Sequence, residues 1–408
     1  MPPRHPTLRP YPEDSYVGLV RAVVSERKLA KLVNHITLHR RVWRNRGIVL
    51  KSWNANYHFS GALPGFLVSR RQRHTESKTP KQILEWAIRQ SDYILNDEVN
   101  YWLEQIGNNT EDLVFALLFL HLPALRTLDL LAPAERICSY LVHVVEHIAS
   151  RSTRHALLEP ADMVAPWQNL RKVSITFSPI HSEPLRLLGA FISLPSLLTL
   201  EATKVFIIGN EYVTGSATPA RISTVERLQS SASFFPVEAL CDLLRVTKTL
   251  KEFTYVIEPS MRLHDDDRMI VYDASRVVSA LSQTSGATLE TLRISATRTV
   301  KWQTVKSFQG FSRLSLIQMS TNILIAPSET NAKTVAAMLP KSLRCLVLQW
   351  DQGAPVEDVG SFHTFLQGLA QNARNQLPLL TKICIPTTFE QEHWDHLLKV
   401  NKPLWYGG

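Results

Sequence analysis

The string His143-Val-Val-Glu146-His147 is where this chain comes nearest to chemistry. An H-x-x-E-H spacing sets two histidines on one face of a helix with a glutamate beside them, the arrangement by which inverzincins hold zinc and supply a general base. The segment around it, "APAERICSYLVHVVEHIAS", repeats apolar residues at 137, 141, 144, 145 and 148. At ~100° per residue that stripe lies well away from both histidines and Glu146, so the candidate ligands are expected to face solvent. A catalytic metal needs a shaped, partly dry pocket. The alternative reading, and not the main one, is therefore an enzyme with an unrecognised pocket, of which a zinc hydrolase using this string is the weaker form.

Two further clusters could bind a cation. His264-Asp265-Asp266-Asp267 carries hard oxygen ligands but lacks the spacing of a calcium loop, and reads as a solvated acidic tip. Glu392-His393-Trp394-Asp395-His396 sits on an expected last helix, with Trp394 and Leu397 toward the core and the charged residues at the surface. The chain has no G-x-G-x-x-G, no Walker phosphate loop and no G-x-S-x-G elbow. No catalytic residue, metal or cofactor is expected.

The elements that would position any site are more legible. "LPALRTLDL", residues 122–130, contains Leu125-x-x-Leu128-x-Leu130, an apolar triplet that neither a helix period nor strand alternation explains alone. It recurs. Val33-Ile36-Leu38, Leu170-Val173-Ile175, Leu197-Leu200-Ala202, Leu250-Phe253-Tyr255 and Leu289-Leu292-Ile294 follow the same spacing, as do Leu314-Ile317-Met319, Leu343-Leu346-Leu348 and Leu380-Ile383-Ile385. From Leu125 onward the first positions are 45, 27, 53, 39, 25, 29 and 37 residues apart. Three of these fall within the roughly 20–29 residues of a leucine-rich repeat, and the longer ones leave room for insertions.

Amphipathic segments precede most copies: "EPLRLLGAFISL", "FPVEALCDLLRVT", "DASRVVSALSQ", "NAKTVAAML" and "SFHTFLQGLAQNAR". Several open after Pro, Ser, Asp or Asn, the residues that start helices. Helix and short strand in alternation return every strand in one direction, giving an α/β fold with a parallel sheet and helices on one side. The expected architecture is an irregular leucine-rich-repeat solenoid, a horseshoe with short parallel strands on its concave face and helices on its convex face. Within each unit the second and third apolar positions point into the core, and the first packs at the turn beneath the helix.

At this point the chain resembles a family. Helix–"LP-x-L-x-x-L-x-L" units of irregular spacing, after an opening like "GLVRAVVSERKLAKLVNHITL", are similar to the repeat region of fungal F-box/leucine-rich-repeat proteins, over roughly residues 15–390. The resemblance implies a non-catalytic protein-interaction module, with substrate recognition for a cullin-type ubiquitin ligase as its fuller form. The F-box itself, which opens on a Leu-Pro-x-Glu/Asp phrase, is not recognisable before residue 15. Contact with a Skp-type adaptor would then need a diverged segment within residues 1–40. Without one, the chain would act only as a scaffold.

The strand register names the residues available to a protein partner, because those between the core-facing pair point to the concave face. They are Thr127 and Asp129; Lys172 and Ser174; Thr199 and Glu201; Glu252 and Thr254; Thr291 and Arg293; Gln318; and Val347. Hydroxyls and single charges dominate the middle of this series, and the later copies turn apolar.

Organisation follows from the same pattern. Residues 1–40 are expected to form an N-terminal cap and first degenerate repeat, 41–121 a basic loop and helical insertion with room for a degenerate repeat, 122–400 the solenoid, and 401–408 a tail. Residues 204–235 read as an insertion leaving one edge of it. The net charge of +9 is uneven, since residues 1–81 hold 16 of the 45 Lys and Arg but 4 of the 36 Asp and Glu. No groove-reading motif accompanies that basic start, so nucleic acid is not the expected partner. No apolar run reaches the ~18 residues of a membrane span, and "MPPRHPTLRPYPEDSY" has neither the apolar core of a signal peptide nor the form of a transit helix. The cysteines Cys138, Cys241, Cys345 and Cys384 lie far apart and read as thiols of a reducing compartment, the cytoplasm or nucleus.

Overall fold

The computed structural model describes residues 20–21, 23–25, 30–45, 48–59, 80–91, 94, 96–106, 111–132, 139–158, 167–177, 184–207, 223–257, 270–296, 300–324, 332–349 and 359–384. The chain is α/β and divides into two compact units, the first running to Ala202 and the second from Thr203. The segments holding His264 to Asp267 and Glu392 to His396 lie outside the described residues, as do Cys138 and residues 1–19.

Unit 1 contains β1 (Val33–Asn45), β2 (Ile48–Phe59), α1 (Pro80–Arg89), α2 (Val99–Gln105), α3 (Glu111–Leu120), β3 (Thr127–Leu131), α4 (Ser139–Leu158), β4 (Lys172–Thr176), α5 (Pro184–Ile192) and β5 (Thr199–Thr203). Its strand order is β2-β1-β3-β4-β5. β1 pairs with β3, and β3 with β4, in parallel. β1 and β2, separated by only Arg46 and Gly47, pair antiparallel from Val33 opposite Phe59 to Asn45 opposite Ile48. This corrects the expectation of a loop after residue 40, because the basic residues there hid a strand whose partner is local. β1 meets β3 directly, so residues 80–121 contribute helices but no strand between them.

Unit 2 contains β6 (Arg227–Ser231), α6 (Val237–Arg245), β7 (Glu252–Ile257), β8 (Ile270–Asp273), α7 (Ala274–Ser285), β9 (Thr291–Ala296), β10 (Val300–Gln303), β11 (Leu316–Ser320), α8 (Thr321–Leu324), α9 (Ala332–Met338), β12 (Cys345–Gln349), α10 (Val359–Gln376) and β13 (Lys382–Cys384). Its main strands lie in the order β6-β7-β9-β11-β12-β13, every neighbouring pair parallel. β8 and β10 form a separate parallel pair.

The recurring triplet explains the main parallel strands of both units. The N–H groups of Leu125, Leu170, Leu197, Leu343 and Leu380 each donate to the carbonyl three residues earlier, at 3.0–3.3 Å, closing a turn into the strand. The carbonyl of the next residue then accepts two N–H bonds from the following strand. Arg126, Arg171, Lys251, Glu290, Ser315 and Arg344 all do so. The second and third triplet residues fill the core: Leu128, Val173, Leu200, Phe253, Leu292, Ile317 and Leu346 are each 0% exposed. Strands therefore alternate between a buried face and a half-buried one, as β3, β4 and β12 show residue by residue. Helices pack on one another in sequence order, α3 on α4 and α4 on α5 in unit 1, α6 on α7 and α9 on α10 in unit 2. The six segments expected to be helical are helical. α7 starts as its Asp273 predicts, the side chain accepting the Arg276 N–H at 3.0 Å.

β6 belongs to the same series and corrects the reading of 204–235 as an insertion. Its phrase is Val225-Leu228-Ser230, and it splits the spacing of 53 after Leu197 into 28 and 25. Ser230 takes the third core position, 4% exposed with an unpartnered hydroxyl, so an apolar search passes over it. Lys204 and Ala232, the residues after β5 and β6, share positive φ values of 60° and 49°. The turns beyond them are tied together, Val205 N–H donating to Ser233 Oγ at 3.0 Å. No helix among the described residues is long and apolar enough to cross a membrane.

Candidate functional site

Each unit turns one side of its strands away from the buried core, and the side chains there stand in rows fixed by register. In unit 1, His35, Thr127 and Lys172 form one row, with Asp129 opposite Ser174 in the next. These groups satisfy one another. His35 Nδ1 is hydrogen-bonded to Thr127 Oγ1, and its Nε2 lies 3.4 Å from Asp129 Oδ2. Glu201 takes the Lys172 ammonium at 2.6 Å and the Ser174 hydroxyl at 2.5 Å. Thr199 stands half-buried on the same side. All six residues expected on the unit 1 face are there, and His35 is the addition. The first copy of the triplet places it level with Thr127, which was the available signal.

In unit 2 the first row is Arg227, Glu252, Thr291, Leu316, Cys345 and Lys382. The second is Gln229, Thr254, Arg293, Gln318, Val347 and Cys384. Every residue expected on this face is brought into these two rows, and β6 adds Arg227 and Gln229. Charge is neutralised only at the margin. Arg227 Nε is 3.7 Å from Glu252, and Lys251 Nζ is 2.8 Å from Glu226. In the centre, Arg293 is half-buried with its Nε covered and without a hydrogen-bond acceptor. Among the described residues no carboxylate pairs with Arg293, and Thr254, Thr291 and Gln318 make no side-chain hydrogen bond. Thr254 is only 7% exposed. Toward β13 the row becomes apolar, with Val347 beside a pair of thiols. Burial pushes the Cys345 thiol up, and the Cys384 thiol on the next strand adds to the shift.

The H-x-x-E-H string lies on α4 and does not converge. His143 Nε2 is 3.5 Å from Glu98 Oε1, before α2, while Glu146 Oε1 is 3.7 Å from the Arg186 guanidinium on α5. The two imidazoles lie nearly parallel at 25°, their centroids 6.1 Å apart. His143 and Glu146 are exposed, as the apolar stripe predicts, but His147 is half-buried with its Nε2 covered, against the expectation that both histidines face solvent; Leu141, Val144, Val145 and Ile148 are buried. Among the described residues no three His, Cys, Asp or Glu side chains gather as metal ligands would.

A deeply buried polar cluster lies elsewhere in unit 2. Tyr255 Oη accepts the Phe235 N–H at 3.1 Å, and Tyr272 packs between Tyr255 and Trp302 at 5.8 and 5.3 Å. Burial drives both phenols well above their ordinary range. Neutral phenols inside an aromatic cluster anchor the β8/β10 pair to the core and offer no acid–base chemistry near neutral pH.

No family model matches the chain, and no curated protein matches it either.

Proposed function

We propose that the repeated strand–helix units are leucine-rich repeats of an irregular solenoid, and that the chain is a protein-binding module without chemistry of its own. The open face of unit 2 is its binding surface. One observation carries this reading: the polar side chains Thr254, Thr291, Arg293 and Gln318, held in register on three strands, have no side-chain hydrogen bond or ion pair among the described residues. Half-buried groups of this kind leave hydrogen bonds unmade, and a partner that supplies them gains both affinity and orientation. The neighbouring apolar end, Leu316, Val347 and the two thiols, adds surface whose burial favours association.

Recognition of a substrate for a cullin-type ubiquitin ligase is the fuller form of the reading, and it rests on resemblance alone. The test is affinity purification from native cells with the wild type and a Thr291→Arg/Gln318→Arg variant. The reading expects at least one protein that the wild type retains, the variant loses, and purified components bind again. Identical retained sets would remove the unit 2 face as the binding surface. Skp-type adaptor and cullin peptides retained by both forms would support the ligase version, since an adaptor would bind outside this face.

A further inference from the structure

Resting on the reading of unit 2 as a binding face, the charge pattern there points to the chemistry of the occupant: we infer that the face receives an acidic peptide segment of a partner protein, whose Asp or Glu carboxylate is read by Arg293. The face holds a guanidinium at its centre with neutral donors beside it, Thr254 and Gln318 in its own row and Thr291 and Ser295 along its own strand. The nearest carboxylate of the first row, Glu252, is engaged by Arg227. Among the described residues none supplies the acceptor that this group lacks, although Arg293 has already lost part of its hydration by being half-buried. A carboxylate is the natural complement, because the planar fork of a guanidinium matches its two oxygens.

The number of charges selects among anions. A phosphorylated side chain carries close to two negative charges and is met by clusters of arginine. A nucleic acid strand repeats its charge along the backbone and asks for a row of cations. The central row Gln229-Thr254-Arg293-Gln318-Val347 has one cation, which a single carboxylate balances. Four strands at about 4.8 Å spacing span the length of roughly four residues of extended chain. An extended segment can thus place its carboxylate on Arg293, backbone groups on Thr254 and Gln318, and an apolar side chain against Val347.

The experiment displays unmodified twelve-residue peptides to the full-length protein. It then measures the selected peptides against wild type, Arg293→Gln, Arg293→Lys and the face-blocking Thr291→Arg/Gln318→Arg variant. The inference expects selected peptides to share an Asp or Glu, with Kd weakened on the order of tenfold or more by Arg293→Gln, as losing a charge-assisted hydrogen bond implies. Arg293→Lys should recover part of that loss, and changing the peptide Asp to Asn should add little on top of Arg293→Gln. Selected peptides without a shared acid, or peptides bound equally by Arg293→Gln, would overturn the carboxylate while leaving the face reading standing. Preference for phosphorylated versions of the same peptides would overturn it in favour of a dianion. Peptides that bind the face-blocked variant unchanged, or no selection by wild type, would overturn the face reading and the inference together.

Discussion

In unit 1 the Lys172 ammonium meets Glu201 at 2.6 Å and His35 stands between Thr127 and Asp129, whereas in unit 2 Arg293 stands among threonine, serine and glutamine with no acceptor among the described residues. The backbone frames are the same, parallel strands whose alternate residues are buried. The difference lies in which charge faces which across one strand spacing. On β4 and β5 opposite charges meet, so polar capacity is spent inside the protein. On β7, β9 and β11 it is left unpaired among the described residues. A shared strand pattern therefore carries one face whose charges are paired and one whose central charge is unpaired among the described residues, which we propose is the receptive one.

Breaking the frame beneath either face should give the largest effects. Leu292→Asp and Val173→Asp each bury an unpaired carboxylate at a 0% exposed site, which should cost about 4 kcal/mol or more. If the units hold separate cores, chemical denaturation should show each variant melting its own unit first. One common transition for both would remove the separation. Next in size is Gly286→Ala. A Cβ there would lie 2.4 Å from Ser282 O and 2.5 Å from Gly310 O, backbone that cannot step aside, so overpacking of roughly 1–3 kcal/mol is expected in unit 2 alone. A melting temperature equal to wild type would show that the turn after α7 is looser than described. Smallest are His143→Ala and Glu146→Ala, exposed residues with long ion pairs, each worth less than about 1 kcal/mol. Loss of a stoichiometric bound metal in either variant would revive the zinc reading.

Much of the frame was legible because all three triplet positions are buried from Leu125 to Leu348 and apolar residues fill nearly all of them. In all nine copies found by apolar spacing the second residue lies on a strand, Ile385 of the last copy falling outside the described residues, and the face residues followed from alternation. β6 escaped because Ser230 occupies a core position that side-chain size alone can satisfy. The β1–β2 hairpin escaped because its register is set by a two-residue connection and not by a repeat. β8 and β10 are four residues each, too short for a period to show. Arg293 was named as a face residue, but its isolation was not legible. Its row neighbours Thr254 and Gln318 are 39 and 25 residues away, and only the register brings them beside it.

The most direct test of the contrast between the faces needs no partner. Thermal unfolding of Glu201→Gln and Arg293→Gln, each at low and high salt, measures what each charge does for its own unit. Glu201 and Lys172 keep 30% and 42% of their side-chain surface, so Glu201→Gln should lose up to about 1 kcal/mol, less in high salt. Arg293→Gln removes a charge that pairs with no carboxylate among the described residues, and should leave stability unchanged or slightly raised at both salts. Loss of stability in Arg293→Gln, with none in Glu201→Gln, would contradict the account.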